Sequence, residues 1–196
     1  MIKLGVTGGI GSGKTLVCQI FQKLGIPVYN ADTAARSLMS TDPDLIEGIV
    51  QLFGDEAFGE DGLNRQYLAK SVFGDHKMLT RLNRLVHPVV RSDFKRWTAQ
   101  KSEFPYVIEE AAILFESGAS AEMDLTVLVY APEELRINRV MKRDALERES
   151  VLKRMGQQLN EEEIRGMADH VLINDGTQML LPQVIDLHNK VLNHRE

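Results

Sequence analysis

The stretch Gly8-Gly9-Ile10-Gly11-Ser12-Gly13-Lys14-Thr15 decides which fold the chain adopts. An apolar run at residues 2–6 precedes it, and residues 16–21 have the pattern of a helix start. A strand, a glycine-rich loop and a helix in this order, with this spacing between Gly8 and Gly13-Lys14-Thr15, predict a phosphate-binding P-loop. The alternative is a glycine turn that matches by chance, and the strand-to-helix context argues against it.

The residue types in this loop suit the binding of a triphosphate. Glycines let many backbone N–H groups point inward at negative charge, and some of their dihedral angles need positive φ. The helix that begins near Gly13 adds its positive dipole end. We expect Lys14 to reach the β- and γ-phosphates and the Thr15 hydroxyl to coordinate Mg²⁺.

The composition is ordinary for a chain of 196 residues, with 43% apolar and 26% charged residues. The formal net charge of −5 argues against broad, non-specific nucleic-acid binding. The single cysteine, Cys18, excludes an internal disulfide and fits a reducing cytosol. The chain starts directly with a strand and has no long apolar run, so we expect a cytoplasmic protein without a signal peptide or a membrane span.

An acidic residue follows the next β-rich run. Residues 26–29 predict the second strand, and Asp32 comes just after its carboxyl end, the edge of an α/β sheet where ligands bind. Asp32 is therefore a candidate to orient, or to deprotonate, an acceptor hydroxyl. The alternative role is that of a helix N-cap. Arg36, one helical turn later, would bind phosphate or pair with a carboxylate.

Residues 41–104 predict helices and no strand. Four helical patterns fit, at residues 42–53, 65–73 and 75–86 and from Pro88 onward, with a loop at residues 59–62. Such a block would form a lobe over the active site that encloses an acceptor. His87, at the boundary predicted before Pro88, is either a substrate contact or a structural hydrogen-bonding residue.

Acidic residues also follow the third predicted strand, at residues 106–108. P-loop enzymes often hold Mg²⁺ or its waters with an acid at this place. Glu109 and Glu110 point in opposite directions if the strand continues, so only one of them would face the phosphates. Glu116 is a further candidate, and a surface carboxylate is the alternative role for each of the three.

The fourth predicted strand is at residues 124–130, and the densest run of basic residues in the chain follows it. Arg139 and Arg143 lie one turn apart on one face of a helix that begins near Pro132. Phosphoryl transfer needs cations over the migrating group, and a mobile pair of basic helices would deliver them. The alternative is a solvated face balanced by neighbouring glutamates.

The remaining pattern completes an α/β architecture. Residues 161–167 predict a short helix, residues 170–174 a last strand, and residues 180–191 an amphipathic closing helix. Strands separated by helices predict a parallel sheet that is covered on both faces. With about five strands, the prediction is a P-loop NTPase-type, doubly wound sheet.

The combined motifs resemble those of the dephospho-CoA kinase family over about residues 2–190. Besides the glycine-rich loop they are Ala31-Asp32-x-x-Ala35-Arg36, His87-Pro88, Leu114-Phe115-Glu116, Arg139-x-x-x-Arg143, Gln158 and Ala168-Asp169-x-x-x-x-Asn174. The resemblance implies the last step of coenzyme A biosynthesis. In that step the γ-phosphate of ATP moves to the 3′-hydroxyl of the ribose of dephospho-CoA.

The resemblance also implies roles for single residues. Asp32 matches the proposed base, and Arg139 and Arg143 match the lid arginines, so these three and Lys14 are the predicted catalytic residues. The predicted acceptor-binding residues are Asp32, Arg36, His87 and Glu116. The predicted ATP-binding residues are Gly9, Gly11, Ser12, Gly13, Lys14, Thr15, Leu16 and Asn174.

We expect a single P-loop kinase domain. Its core would span about residues 1–40 and 105–196, with a helical acceptor-binding insert at about 41–104 and a lid at about 139–160. The expected partners are the small molecules ATP and dephospho-CoA, with Mg²⁺ as the metal. We expect no nucleic-acid or membrane partner, and a monomer or a weak homo-oligomer.

The sequence departs from the family pattern at four positions. Asn30 stands where aspartate is usual, Ala112 where proline is usual, and Arg136 where glutamine is usual. Thr15 replaces a common serine and keeps the hydroxyl.

Two other functions stay open on the sequence. One is a nucleoside or nucleotide kinase, which the acceptor lobe would distinguish. The other is a nucleotide-dependent switch or binding module. A GTPase switch would need an Asn-Lys-x-Asp motif, but Asn189-Lys190 is followed by Val191-Leu192, which counts against it.

Overall fold

The structure is a computed structural model that describes residues 1–60 and 62–193. Asp61, part of the loop predicted at residues 59–62, lies outside the described residues. The chain forms two compact units. Residues 1–30 and the described residues from 100 onward form the first, and Ala31–Ala99 forms the second.

The predicted alternation of strands and helices is present. In chain order the strands are β1 (Ile2–Thr7), β2 (Val28–Asn30), β3 (Phe58–Gly59), β4 (Gly62–Leu63), β5 (Tyr106–Glu110), β6 (Leu125–Tyr130) and β7 (His170–Ile173). The helices are α1 (Lys14–Lys23), α2 (Ala31–Thr41), α3 (Pro43–Phe53), α4 (Arg65–Val72), α5 (His76–Ala99), α6 (Glu133–Asp144), α7 (Arg148–Met155), α8 (Glu161–Met167) and α9 (Leu180–Asn193). None of the helices in the described part of the chain combines the length and apolarity needed to cross a bilayer.

The first unit is built on a five-stranded sheet with the order β2-β5-β1-β6-β7. All four neighbouring pairs are parallel. Strand β1 is central because the chain first builds the sheet on one side of it and then returns to add β6 and β7 on the other. Such a reversal leaves a crevice at the carboxyl ends of the strands, where ligands bind. The loop after β1 opens at this edge, and the predicted fold is confirmed.

The core of the first unit lies between the sheet and helices α1 and α9. Its buried members include Leu4 and Val6 of β1, Val17 and Phe21 of α1, and Val184, Leu187 and Val191 of α9. On the other face, α6 and α7 share a smaller cluster of Ile137, Val140 and Val151. Helices therefore cover both faces, and Ile10 of the loop between β1 and α1 packs against the cluster of α6 and α7.

The second unit is helical, with α2, α3 and α5 packed on one another. Val86, Val90 and Phe94 are buried at four-residue spacing along α5, so one stripe of that helix faces its neighbours. Helices α3 and α4 begin with side-chain caps, in which Asp42 accepts from Leu45 N and Asn64 accepts from Tyr67 N.

Two predictions for this unit were wrong. Pro88 does not separate two helices but lies inside the continuous helix α5. The apolar stripe continues through Pro88, and its packing outweighs the hydrogen bond that the proline removes. Residues 41–104 also contain strands, because β3 and β4 form a short antiparallel hairpin. Strands of two residues are too short to leave an alternating pattern in the sequence.

Two other elements differ in their bounds. Helix α2 begins at Ala31, so Asp32 lies in its first turn, and the N-cap interpretation of Asp32 was wrong. Strand β5 continues to Glu110, beyond the predicted stretch, because hydrogen bonding to β1 and β2 continues through both glutamates. Glu109 and Glu110 are both buried in it.

Candidate active site

The glycine-rich loop runs from the end of β1 to the start of α1 at Lys14. Gly13, the N-cap of α1, has φ of 102°, a left-handed conformation that residues with a side chain rarely adopt. A Cβ atom at Gly13 would also collide with the side-chain amide of Asn174. Thr15 and Leu16 lie in the first turn of α1, where backbone N–H groups have no partner within the helix. The loop therefore ends at a helix N-terminus that suits an anion.

Arg139 and Asn174 hold the second half of the loop from one side. The Asn174 side-chain amide donates to Ser12 O at 2.7 Å. Arg139 donates to Asn174 O at 3.1 Å and, over longer distances of 3.4 and 3.5 Å, to Gly11 O and Ser12 O. A peptide carbonyl and the N–H that follows it point in opposite directions. The Gly13 N–H is therefore turned away from Asn174, toward the inside of the loop.

The Lys14 ammonium group lies over the loop. It donates to Gly8 O and, at 3.4 Å, to Gly9 O. Its positive charge is therefore held at the mouth of a loop whose backbone amides already favour an anion.

Glu110 lies at the base of the same site. It is 5% exposed, and its two carboxylate oxygens accept from the Thr15 hydroxyl at 3.1 Å and from the Asn30 side-chain amide at 2.8 Å. Cys18 is buried beside it, and burial followed by the Glu110 charge raises the pKa of its thiol, which keeps it protonated. Glu109, Glu110 and Glu116 were the candidates from the sequence, and the hydrogen bond from Thr15 goes to Glu110.

The first half of the loop is held by side chains to which the sequence assigned no role, although the family resemblance includes Gln158 and names Arg136 as a departure. Gly9 N donates to Glu161 at 3.2 Å, and Ile10 N donates to Gln158 at 2.9 Å. The buried Arg136 side chain pairs with Glu161 at 3.3 Å. Burial raises the pKa of the Glu161 carboxyl, and the Arg136 charge opposes that rise. Glu161 is one of three consecutive glutamates at the start of a helix, so no local pattern distinguishes it.

Two predicted site residues of the first unit make other contacts. The Arg143 guanidinium is mostly exposed and pairs with the adjacent Asp144 at 2.7 Å. The exposed Glu116 side chain accepts from Leu159 N at 2.9 Å. Among the predicted residues, the structure thus brings Lys14, Thr15, Arg139 and Asn174 together at the loop.

Asp32, Arg36 and His87 belong to the second unit. Asp32 is half-buried in the first turn of α2, and Arg36 is exposed one turn later. Arg36 lines a pocket of about 450 Å³ in this unit with Thr33, Ser37, Ser40, Thr41 and Arg65. His87 is half-buried in α5, where burial and then the nearby Arg91 charge lower its pKa.

The central β1, the glycine-rich loop with Lys14-Thr15 and the arginine-bearing helix α6 define a P-loop kinase. A family model described as Dephospho-CoA kinase matches residues 2–179. The chain belongs to the dephospho-CoA kinase family.

Individual relatives agree with this assignment over nearly the full chain. A dephospho-CoA kinase from Salinibacter ruber is 46% identical over 180 residues, which are 90% of each chain. One from Bacteroides fragilis is 38% identical over 186 residues, 95% of this chain and 91% of the relative. A crystal structure from Thermus thermophilus superposes with a TM-score of 0.85 at 37% identity and covers 96% of both chains.

Family membership confirms the function predicted from the sequence. The protein is an ATP-dependent phosphotransferase that acts on dephospho-CoA and completes coenzyme A. A nucleoside or nucleotide kinase is not favoured, because the match extends through the helical unit as well as the P-loop.

Proposed function

We propose that the loop between β1 and α1 binds the phosphates of ATP and that Asp32 activates the 3′-hydroxyl of dephospho-CoA. The observation that carries the proposal is the loop geometry: Gly13 opens helix α1, and Lys14 lies over the loop carbonyls. Gly9, Gly11, Ser12, Gly13, Lys14, Thr15 and Leu16 are the proposed phosphate-binding residues. Asn174, whose amide braces Ser12, is the proposed contact near the nucleotide base.

The chemical step is an in-line transfer. The 3′-oxygen of the ribose forms a bond to the γ-phosphorus as the bond to the β,γ-bridging oxygen breaks, and ADP leaves. The hydroxyl proton passes to the Asp32 carboxylate. Lys14, Arg139 and Arg143 offset the negative charge that spreads over the γ-phosphoryl oxygens.

The residues at the base of the site fit Mg²⁺. Thr15 and Glu110 present a hydroxyl and a carboxylate, the oxygen groups that this ion prefers. Within residues 1–60 and 62–193, no three His, Cys, Asp or Glu side chains converge as a metal site. Mg²⁺ commonly keeps several waters and takes other ligands from substrate phosphates, so few protein oxygens are needed. When bound, Mg²⁺ would neutralise charge on the β- and γ-phosphate oxygens.

Asp32 is proposed as the base because it is close in sequence to a residue that contacts the base of the loop. It follows Asn30 by two residues, and the Asn30 side chain contacts Glu110 at the base of the loop. Two residues of backbone span at most about 7 Å. Asp32 also lies in the first turn of α2, the end of a helix that favours a carboxylate.

The pocket around Arg36 is proposed to bind the phosphate groups of the acceptor. Arg36 and Arg65 supply two guanidinium groups, and Thr33, Ser37 and Ser40 supply hydroxyl donors. Dephospho-CoA carries a pyrophosphate, which guanidinium forks and hydroxyls bind well. His87 and Glu116 are proposed as further acceptor contacts.

The proposed division of labour follows the chain. The expected core included residues 31–40, but helix α2 belongs to the helical unit. The proposed nucleotide-binding core is therefore residues 1–30 and about 105–196, and the proposed acceptor-binding part is about 31–104. Residues of about 139–160 are the proposed lid, which carries Arg139 and Arg143. ATP, dephospho-CoA and Mg²⁺ are the proposed ligands.

The test replaces Asp32 with asparagine, which keeps the size and removes the charge. We expect kcat with MgATP and dephospho-CoA to fall about 10²- to 10⁴-fold, the usual contribution of a general base. Binding of an ATP analogue, measured by calorimetry, should stay within about twofold. Asp44→Asn, at an exposed first-turn acid of α3, is the matched control and should leave both values unchanged. Wild-type turnover in the Asp32 variant would remove Asp32 from this role.

A further inference from the structure

The first half of the glycine-rich loop is held by one segment that lies far away in the sequence. Gly9 N donates to Glu161 Oε1 at 3.2 Å, and Ile10 N donates to Gln158 Oε1 at 2.9 Å. Gly9 also accepts from Ser12 N at 3.0 Å through its carbonyl. Both polar groups of the Gly9 backbone are therefore used, and the first half of the loop is tied to the second half.

The Glu161 carboxylate is fixed by a buried ion pair. Arg136 is 7% exposed and Glu161 is 9% exposed, and Arg136 Nη2 lies 3.3 Å from Glu161 Oε2. Arg136 Nε also donates to Ala131 O at 3.1 Å. A Cβ atom at Gly9 would collide with the Arg136 guanidinium, so this side chain lies directly against the loop backbone. Each charge therefore has a partner and at least one further hydrogen bond, the condition under which a buried pair is tolerated.

The segment that carries Gln158 and Glu161 is itself anchored. The Gln158 side-chain amide donates to Ala112 O at 2.7 Å, and Leu159 N donates to Glu116 at 2.9 Å. Asn160 caps helix α8 by accepting from Glu162 N at 3.0 Å. The contacts to Gly9 and Ile10 therefore come from a braced segment.

We propose that Glu161, Gln158 and Arg136 are positioning residues of the phosphotransferase, which hold Gly9 and Ile10 so that the following amides stay aimed at the phosphates. This inference rests on the proposed role of the loop in phosphate binding. The three side chains contact the first half of the loop, so they affect the substrate only through the backbone of the loop. A misplacement of about 1 Å in such a framework is enough to lower a rate substantially.

The first test removes the acceptor of the Gly9 N–H. Glu161→Ala should raise the KM for ATP about tenfold or more, because one buried hydrogen bond and one charge pair are lost. The KM for dephospho-CoA should stay within about twofold, because the change acts on the ATP loop. Glu134→Gln is the matched control. It removes the charge of a glutamate that pairs with Arg148 on the surface, and Glu134 belongs to the same helix as Arg136. It should leave both KM values unchanged.

A pair of double variants separates positioning from general stabilisation. Arg136→Met with Glu161→Gln removes both charges and keeps an amide oxygen for Gly9 N–H, so we expect most of the wild-type KM for ATP. Arg136→Met with Glu161→Leu removes the same charges and the acceptor, so we expect a KM for ATP as high as in Glu161→Ala. Thermal unfolding of all variants shows the fraction that is folded at the assay temperature.

The outcomes are distinct. Equal KM values for ATP in the two double variants would overturn the proposal, as would an unchanged KM in folded Glu161→Ala. If the Glu161 variants do not fold, Gln158→Ala removes a neutral contact to Ile10, and an unchanged KM for ATP would then overturn the proposal. Lys14→Met is measured in parallel. If it leaves ATP binding unchanged, the proposed role of the loop fails, independently of Glu161.

Discussion

The Thr15 hydroxyl donates to Glu110 at 3.1 Å, although the two residues are 95 positions apart. The contact joins the first turn of α1 to the carboxyl end of β5. The second oxygen of Glu110 accepts from the Asn30 side chain at 2.8 Å, so the carboxylate is held in one orientation at the base of the loop. Because Glu110 is nearly fully buried, its orientation depends on these two donors and on the Cys18 thiol, which also hydrogen-bonds to it.

Replacing Glu110 with glutamine removes the charge and keeps an oxygen for the Thr15 hydroxyl. We expect turnover to fall about 10- to 100-fold, as for other residues that orient a metal and its ligands. The Mg²⁺ concentration needed for half-maximal rate should rise, since the carboxylate no longer attracts the ion. Steady-state rates measured over a Mg²⁺ titration check both expectations.

A second variant tests whether the charge or the shape matters. In the Glu110→Gln, Asn30→Asp double variant the two side chains exchange roles, so their hydrogen bond and one carboxylate remain. We expect this variant to recover about tenfold of the lost rate, within the range for such orienting contacts. Equal rates in the single and double variants would show that a carboxylate at position 30 cannot replace that of Glu110.

The two arginines of α6 are expected to affect the kinetic constants differently. Arg139 already contacts Asn174 and the loop, whereas Arg143 pairs with Asp144 and is mostly exposed. Arg139→Met should lower kcat, because a charge over the γ-phosphoryl group is lost, and should also raise the KM for ATP about 10- to 100-fold, because charged hydrogen bonds to the loop are lost. Arg143→Met should lower kcat about 100-fold or more with little change in KM, because we propose that it acts only in the transition state.

Initial rates over a range of ATP concentrations separate these effects. Lys142→Met, at an exposed position of the same helix, is the control for loss of a positive charge. The same KM and kcat changes in both arginine variants would contradict separate roles.

The nucleotide-binding half of the fold is predictable because its signals are local. The glycine spacing, the apolar strand before it and the helix after it lie within one short stretch, and β6 is apolar except for Thr126. The bounds of β5 were harder to predict, since two glutamates are unusual in a buried strand. Glu110 is accommodated there because Thr15 and Asn30 supply donors, and those contacts exist only after folding.

Site residues were predictable only where they belong to a motif within one short segment of the sequence. Lys14 and Thr15 belong to a motif with a fixed spacing. Arg139 lies one helical turn before Arg143 in the helix that follows β6, so the helical spacing placed both arginines on one face. Glu161 contacts Gly9 across 152 positions, and no spacing rule predicts such a pairing. Pro88 was misinterpreted for a related reason, because tertiary packing decided whether the helix continued.

Pro88 is expected to destabilise the second unit. In the middle of α5 its ring replaces the N–H that would bond to the carbonyl of Arg84 and crowds that carbonyl. Pro88→Ala should therefore raise the free energy of unfolding by about 1–3 kcal/mol, measured by urea denaturation. Pro43→Ala is the control, because Pro43 is at the first position of α3, where no intrahelical N–H bond is lost. Equal effects of the two substitutions would show that the helix carries no penalty at Pro88.

His87 should make the stability of the protein depend on pH. Burial and the Arg91 charge hold its pKa below the usual 6.5, so the folded protein favours the neutral ring. The stability that this neutral ring contributes is present above about pH 6.5 and is lost as the pH falls through the folded pKa, because the unfolded chain takes up the proton first. The decrease in free energy of unfolding from pH 7.5 to 5.5, measured with urea, should be smaller in His87→Gln than in wild type. His76→Gln, at the exposed start of the same helix, should keep the wild-type decrease, and a full decrease in His87→Gln would exclude His87 as its source.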